Sequence, residues 1–100
     1  MITAIYMYCL KKGVSMEEYR KWSIDRDQKT VKSFKGIEKF DVHIIEGPDK
    51  KCDVFEVINV ESWDRWKEIT SSPEMEAIKF EHKQLVDRDS MTCFYGKLIE

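Results

Sequence analysis

From Lys39 to Ile44 polar and apolar residues alternate without a break, with Phe40, Val42 and Ile44 on one side and Lys39, Asp41 and His43 on the other. Period-two alternation marks a strand with one face buried and the other free, so Ile37 to Glu46 belongs to a sheet covered on one side only. Gly47-Pro48-Asp49-Lys50-Lys51 is of hairpin-turn length. Cys52 to Glu61, rich in Val, Ile and Phe, is then the returning strand. On the parity of Phe40 it presents Val54, Glu56, Ile58 and Val60, a single carboxylate in an apolar row.

The remaining segments fit around this hairpin. Ile2 to Leu10, with Tyr6 and Tyr8, has the length and aromatic content of a strand. Ser15-Met16-Glu17-Glu18 is a capping box that opens a helix through Lys35, with Gly36 as its left-handed stop. Ser62 caps a short helix, Trp63 to Thr70. Ser72-Pro73 starts another, which runs to about Asp87, and Ser90 to Ile99 supplies the last strand. The order β-α-β-β-α-β predicts an α+β, ferredoxin-like domain, a four-stranded antiparallel sheet with its helices on one face. One hundred residues support one core, so residues 1–100 form a single domain.

Composition narrows the partners. Charged residues make up 36 % of the chain but nearly cancel to a net charge of −2, which argues against nucleic acid or an anionic membrane as a partner. The longest apolar run, Ala4 to Leu10, is too short to span a bilayer and lacks the flanks of a secretory signal, so a cytoplasmic location is expected. Three scattered cysteines and two histidines show neither disulfide nor metal-ligand spacing. Isolated glycines offer no phosphate cradle, and the expectation is a protein without metal or cofactor. The sheet face away from the helices carries Ile5, Met7, Cys9, Ile45, Phe55 and Val57, more apolar surface than a monomer usually leaves in water. A homodimer formed through that face is expected.

Glu17-Glu18-Tyr19-Arg20-Lys21-Trp22, the hairpin, the Glu61-Ser62-Trp63 helix entry and Ser71-Ser72-Pro73-Glu74 together resemble the dimeric α/β-barrel superfamily. That superfamily includes EthD-like proteins, cofactor-free monooxygenases, muconolactone isomerases and plant polyketide cyclases. The stretch from Ile37 to Met75 is most similar to the RedY-like, HapK-type proteins of tripyrrole (prodigiosin) pigment biosynthesis. The resemblance implies a ligand pocket in each subunit, between the concave sheet and the helices, for a small aromatic or heteroaromatic molecule near the bipyrrole-aldehyde precursor. It implies cofactor-free proton transfer such as cyclisation, dehydration or tautomerisation. Two other readings stay open, an accessory protein that shields an intermediate or assists another pathway enzyme, and a cofactor-free monooxygenase. Two borrowed general bases are missing. Arg26 stands where EthD-like members often carry a His, and Met75 where the plant cyclases place theirs.

The candidate site follows from parity. Glu56 is expected to be the polar centre of the pocket, with the Tyr6 and Tyr8 hydroxyls within its reach and Arg20 or Arg26 brought over it by the first helix. Glu56, Tyr8 and Arg26 are the candidate catalytic groups. With Tyr19 inward, helical spacing brings Ser23, then Arg26 or Asp27, to the same face, a polar stripe suited to a cavity wall. The alternative is a buried face of Trp22, Ile24 and Val31 with the charges in solvent. Tyr6, Tyr19, Trp22, Ser23, Asp27, Trp66, His82 and Phe94 are the candidate ligand contacts. His82 borders the apolar side of the second long helix, where a histidine also packs as plain core. For Glu56 the alternatives are a solvent-facing position or a structural ion pair with Arg20 or Arg26.

Overall fold

The computed structural model describes Met1–Glu100. Strand β1 (Ile2–Leu10) leads to helix α1 (Met16–Trp22), which continues through a π-helical turn, Ser23–Asp27, into α2 (Gln28–Lys32). The hairpin is β2 (Ile37–Ile44) and β3 (Val54–Val60), followed by α3 (Trp63–Thr70), α4 (Pro73–Leu85) and β4 (Val86–Gly96). The four strands form one antiparallel sheet in the order β2-β3-β1-β4, the ferredoxin-like arrangement expected from the element order.

Local chemistry sets the helix starts. The Ser15, Ser62 and Ser72 side chains accept hydrogen bonds from the N–H groups of Glu18, Arg65 and Met75, and Pro73 fills the first position of α4. Gly36, at φ +96°, reverses the chain after α2. A Cβ there would stand 3.0 Å from the exposed Glu61 side chain, which can shift, so it is the positive φ that requires glycine.

The core lies between sheet and helices in two clusters. The larger holds Ala4, Val31, Phe40, Ile58, Val60, Trp66, Ile69, Met75 and Ile78. The smaller holds Tyr8, Tyr19, Val54 and Val86. Glu56 sits on β3 between Val54 of one cluster and Ile58 of the other, so a carboxyl lies at the seam.

The last strand departs from expectation. It starts at Val86, directly after α4, and ends at Gly96, whereas the sequence suggests Ser90 to Ile99. Register against β1 passes from Met7↔Thr92 to Cys9↔Asp87, so Tyr8 alone faces the stretch from Arg88 to Met91. This is a large bulge, held by Ser90, whose Oγ accepts from the Cys9 N–H at 2.8 Å and donates to the Asp87 carbonyl at 2.6 Å. Pairing of Tyr6 with Cys93 and of Ile5 with Phe94 sets the faces of β4. Cys93 and Tyr95 point to the helix side, and Phe94 points to the bare face.

Candidate functional site

Tyr19, Ser23, Asp27 and Val31 are all buried, each four residues after the last. In a regular α-helix a four-residue step overshoots a full turn by about 40°, so three such steps would carry Val31 far round the cylinder. The π-helical turn absorbs that drift. Its closing bond runs from the Gln28 N–H to the Ser23 carbonyl, and the wider turn keeps the four side chains in line. It turns Asp27 inward and leaves Arg26 outside.

Across from this stripe, Glu56 is 8 % exposed and Tyr8 is fully buried. The Tyr8 hydroxyl donates to Glu56 Oε2, and the Tyr8 and Tyr19 hydroxyls bond each other. A phenol has one proton to give, so while Glu56 is ionised Tyr19 is the donor to Tyr8. The result is a chain, Tyr19 to Tyr8 to Glu56. No lysine or arginine pairs with Glu56; the ion pairs of the chain lie elsewhere. Burial therefore pushes the Glu56 carboxyl up to about 7, although the Tyr8 bond favours its charged form. Burial, then the nearby Glu56 charge, raises both phenols far above their ordinary value, so Tyr8 and Tyr19 stay neutral donors. Asp27, 4 % exposed, is held well above the usual carboxylate range by burial and by the charges of Glu56 and Glu81.

His82 closes the arrangement. Its ring stands edge-on to Tyr8 at 4.9 Å and tilted against Trp22 at 5.8 Å. Burial, with the Arg88 charge behind it, pushes His82 down to about 4, so it is a neutral imidazole at pH 7. On the other flank the Trp66 Nε1–H donates to the Tyr6 hydroxyl at 3.0 Å.

These side chains enclose a cavity of about 130 Å³, with Glu56, Tyr8, Tyr6, Trp66, His82 and Phe40 among its walls. An apolar cavity of roughly 150 Å³ holds one benzene molecule, so this one is the size of a single aromatic ring. A second depression, of about 410 Å³, lies between the first helix and edge strand β2, lined by Tyr19, Ser23, Gln28 and His43 among others. It is larger, but the titratable chemistry lies in the small cavity. The tyrosine chain connects the two, with Glu56 and Tyr8 on the small cavity and Tyr19 on the second depression.

The structure thus brings Glu56, Tyr8, Tyr6, Trp66 and His82 to one cavity and sets Tyr19, Trp22, Ser23 and Asp27 behind it. Those last four, expected as ligand contacts, do not line the cavity, and two further expected site residues lie away from it altogether. Arg26 points away and clamps Glu81 of α4, with Nε at 2.9 Å and Nη2 at 2.6 Å, while Trp22 Nε1 donates to the same carboxylate at 2.8 Å. The π-helical turn is the reason. Phe94 is 50 % exposed on the bare sheet face, because the bulge shifts the parity of β4 by one. The expected cover of Glu56 by Arg20 or Arg26 is replaced by a phenol. Ile24 is exposed, which removes the all-apolar reading of the helix.

Sequence reading missed Lys79, Arg88 and Met91, which also line the cavity. Arg88 falls in Asp87-Arg88-Asp89-Ser90, a run of turn-forming residues that reads as a loop. Only the bulge folds it over Tyr8.

With this geometry in view, comparison with known proteins gives a consistent result. The family described as REDY-like protein HapK matches residues 2–98. No curated protein matches the chain in sequence. Among solved structures, HapK from Hahella chejuensis is similar with a TM-score of 0.86 and 15 % identity, covering 99 % of this chain and 93 % of that one. SnoaB, a cofactor-independent oxygenase from Streptomyces nogalater, gives 0.78 at 9 % identity, with 99 % and 93 % covered. A dimeric ferredoxin-like protein from Thermobifida fusca gives 0.80 at 12 % identity, with 97 % and 90 % covered. At these identities the likeness to each structure is one of fold.

Proposed function

The chain belongs to the REDY-like family of HapK, and from that premise we propose a small-molecule pocket protein of tripyrrole (prodigiosin-type) pigment biosynthesis. In this reading it moves protons, without a cofactor, on a pyrrole intermediate near the bipyrrole-aldehyde precursor. The observation that carries the reading is Glu56, a buried carboxyl with no cationic partner, near neutrality in affinity and facing a ring-sized cavity. Such a group takes a proton from one ligand atom and returns it to another with little penalty either way, which suits tautomerisation, cyclisation or dehydration. Tyr8 and Tyr19 would carry the exchanged proton toward the second depression. Tyr6, Trp66 and His82 would hold a flat ring by edge and face contacts. A homodimer completes the proposal, because Ile5, Met7, Phe55 and Val57 are only partly covered on the bare sheet face and a similar structure is described as dimeric.

The test is disappearance of a bipyrrole carboxaldehyde, followed with purified wild type and Glu56→Gln. Catalysis requires a saturable rate that vanishes in the variant while calorimetry still registers binding. Binding without turnover in the wild type favours the second reading, a protein that holds and shields the intermediate. That reading draws support from Tyr6, Phe40, Trp66 and His82 in the cavity wall, which offer contacts to a ring whether or not a proton moves. Absence of both binding and turnover overturns the proposal.

A further inference from the structure

Cations near the cavity differ in their commitments. Lys79 is engaged, its Nζ donating to the Thr70 carbonyl at 2.5 Å and to Glu76 at 3.2 Å. Arg88 lines the same cavity but takes part in none of the chain's ion pairs or side-chain hydrogen bonds, although Asp87 and Asp89 flank it in sequence. The flanking carboxylates are otherwise placed, since Asp87 Oδ1 accepts from the Asp89 N–H at 3.1 Å. Arg88 is also the first residue of the bulge opposite Tyr8, so a register irregularity of four residues brings an exposed, unpaired arginine to the lining of the cavity that Glu56 shares. An open fork of N–H donors there has one natural complement, a planar oxygen acceptor.

We propose that Arg88 is the specificity-determining residue of this cavity and binds a carbonyl-type oxygen, aldehyde or carboxylate, on a ring whose N–H faces Glu56. The inference rests on the proposed pocket function and adds the polarity of the ligand, with its donor end inward and its oxygen end at the rim. A cavity with room for one ring places both ends on the same heterocycle, as in a pyrrole bearing a carbonyl group next to its nitrogen.

Three probes separate the parts of this claim: pyrrole, pyrrole-2-carboxaldehyde and pyrrole-2-carboxylate, titrated while the indole N–H resonances of Trp66 and Trp22 are followed. Wild type is expected to bind one or both oxygenated probes at least about tenfold more tightly than pyrrole, the effect of one charge-assisted hydrogen bond at a solvent-accessible rim. Arg88→Met removes that preference, bringing the oxygenated probes to the affinity of pyrrole, and Lys83→Met, which removes an exposed cation outside the cavity, keeps it. Gain for both oxygenated probes means recognition of the carbonyl oxygen, and gain for the carboxylate alone means recognition of charge. Equal affinity for all three probes, or a preference that survives in Arg88→Met, overturns the role of Arg88 while leaving the pocket reading intact. Failure of every probe to bind overturns both.

Discussion

Replacing Glu56 by Gln keeps the shape of the side chain and removes its titration, so the effect on stability depends on pH. In the folded chain Glu56 takes its proton near 7, against 4.5 for a free carboxyl. Between those values the folded state binds more protons than the unfolded one, and stability falls as pH rises. The contribution is fully present below pH 4.5 and is lost by the time pH passes 7, a change of about 3 kcal/mol at 1.36 kcal/mol per unit. His82 acts in the opposite sense. It is held near 4 in the fold against 6.5 when free, so the unfolded state binds the extra proton and stability rises with pH across that window. Glu56, with Asp27 acting in the same direction, opposes His82 between pH 4.5 and 6.5, so the wild-type profile there reports only their difference. Glu56→Gln separates them. Urea unfolding at one fixed protein concentration should give similar stabilities for variant and wild type at pH 4.5. At pH 8 the variant should be more stable by about 3 kcal/mol, or roughly 12 °C or more in melting temperature for a domain of this size. Parallel pH profiles for the two proteins would refute the assignment of a buried, unpaired carboxyl.

Tyr8→Phe removes the donor to Glu56 and the acceptor of the Tyr19 hydroxyl, and should cost about 2–3 kcal/mol at pH 8 by urea unfolding, with a smaller loss at pH 5 where Glu56 is neutral. Arg26→Met should lower the melting temperature only slightly, by an amount that shrinks with added salt, and should leave ligand affinity unchanged, because the Glu81 clamp lies outside the cavity. Phe55→Lys places a charge on the bare sheet face, and light scattering should show it as monomer or insoluble protein, against the dimer proposed for the wild type.

Periodicity carried most of the fold because each element's signal was local. Alternation identified β2 and β3, serine caps fixed the helix starts, and Gly36 marked the turn before β2. It also gave Glu56 its neighbours, since parity along β3 depends on no distant contact. Arg26 and Asp27 could not be told apart, because a helix face drawn at 3.6 residues per turn passes between them. The π-helical turn that decides the matter has no sequence signature in Ser-Ile-Asp-Arg-Asp. The side taken by Phe94 and the approach of Arg88 escape periodicity for a related reason. A bulge changes parity for every residue beyond it, and this one is fixed by Ser90 bonding to Cys9, a contact between residues 81 positions apart. The bulge brings Arg88 and Met91 into the cavity wall, and the π-helical turn sets Asp27 behind it.

The most direct measurement is a ¹³C titration of the Glu56 carboxyl, assigned by comparison with Glu56→Gln and repeated in the presence of pyrrole-2-carboxaldehyde. A midpoint near 7 that moves when the aldehyde is added is the expected result, because the proposed function sets the ligand against this buried carboxyl, which has no cation beside it. A midpoint near 4.5, or one near 7 that the aldehyde leaves unmoved at saturation, would contradict the placing of Glu56 at the centre of the site.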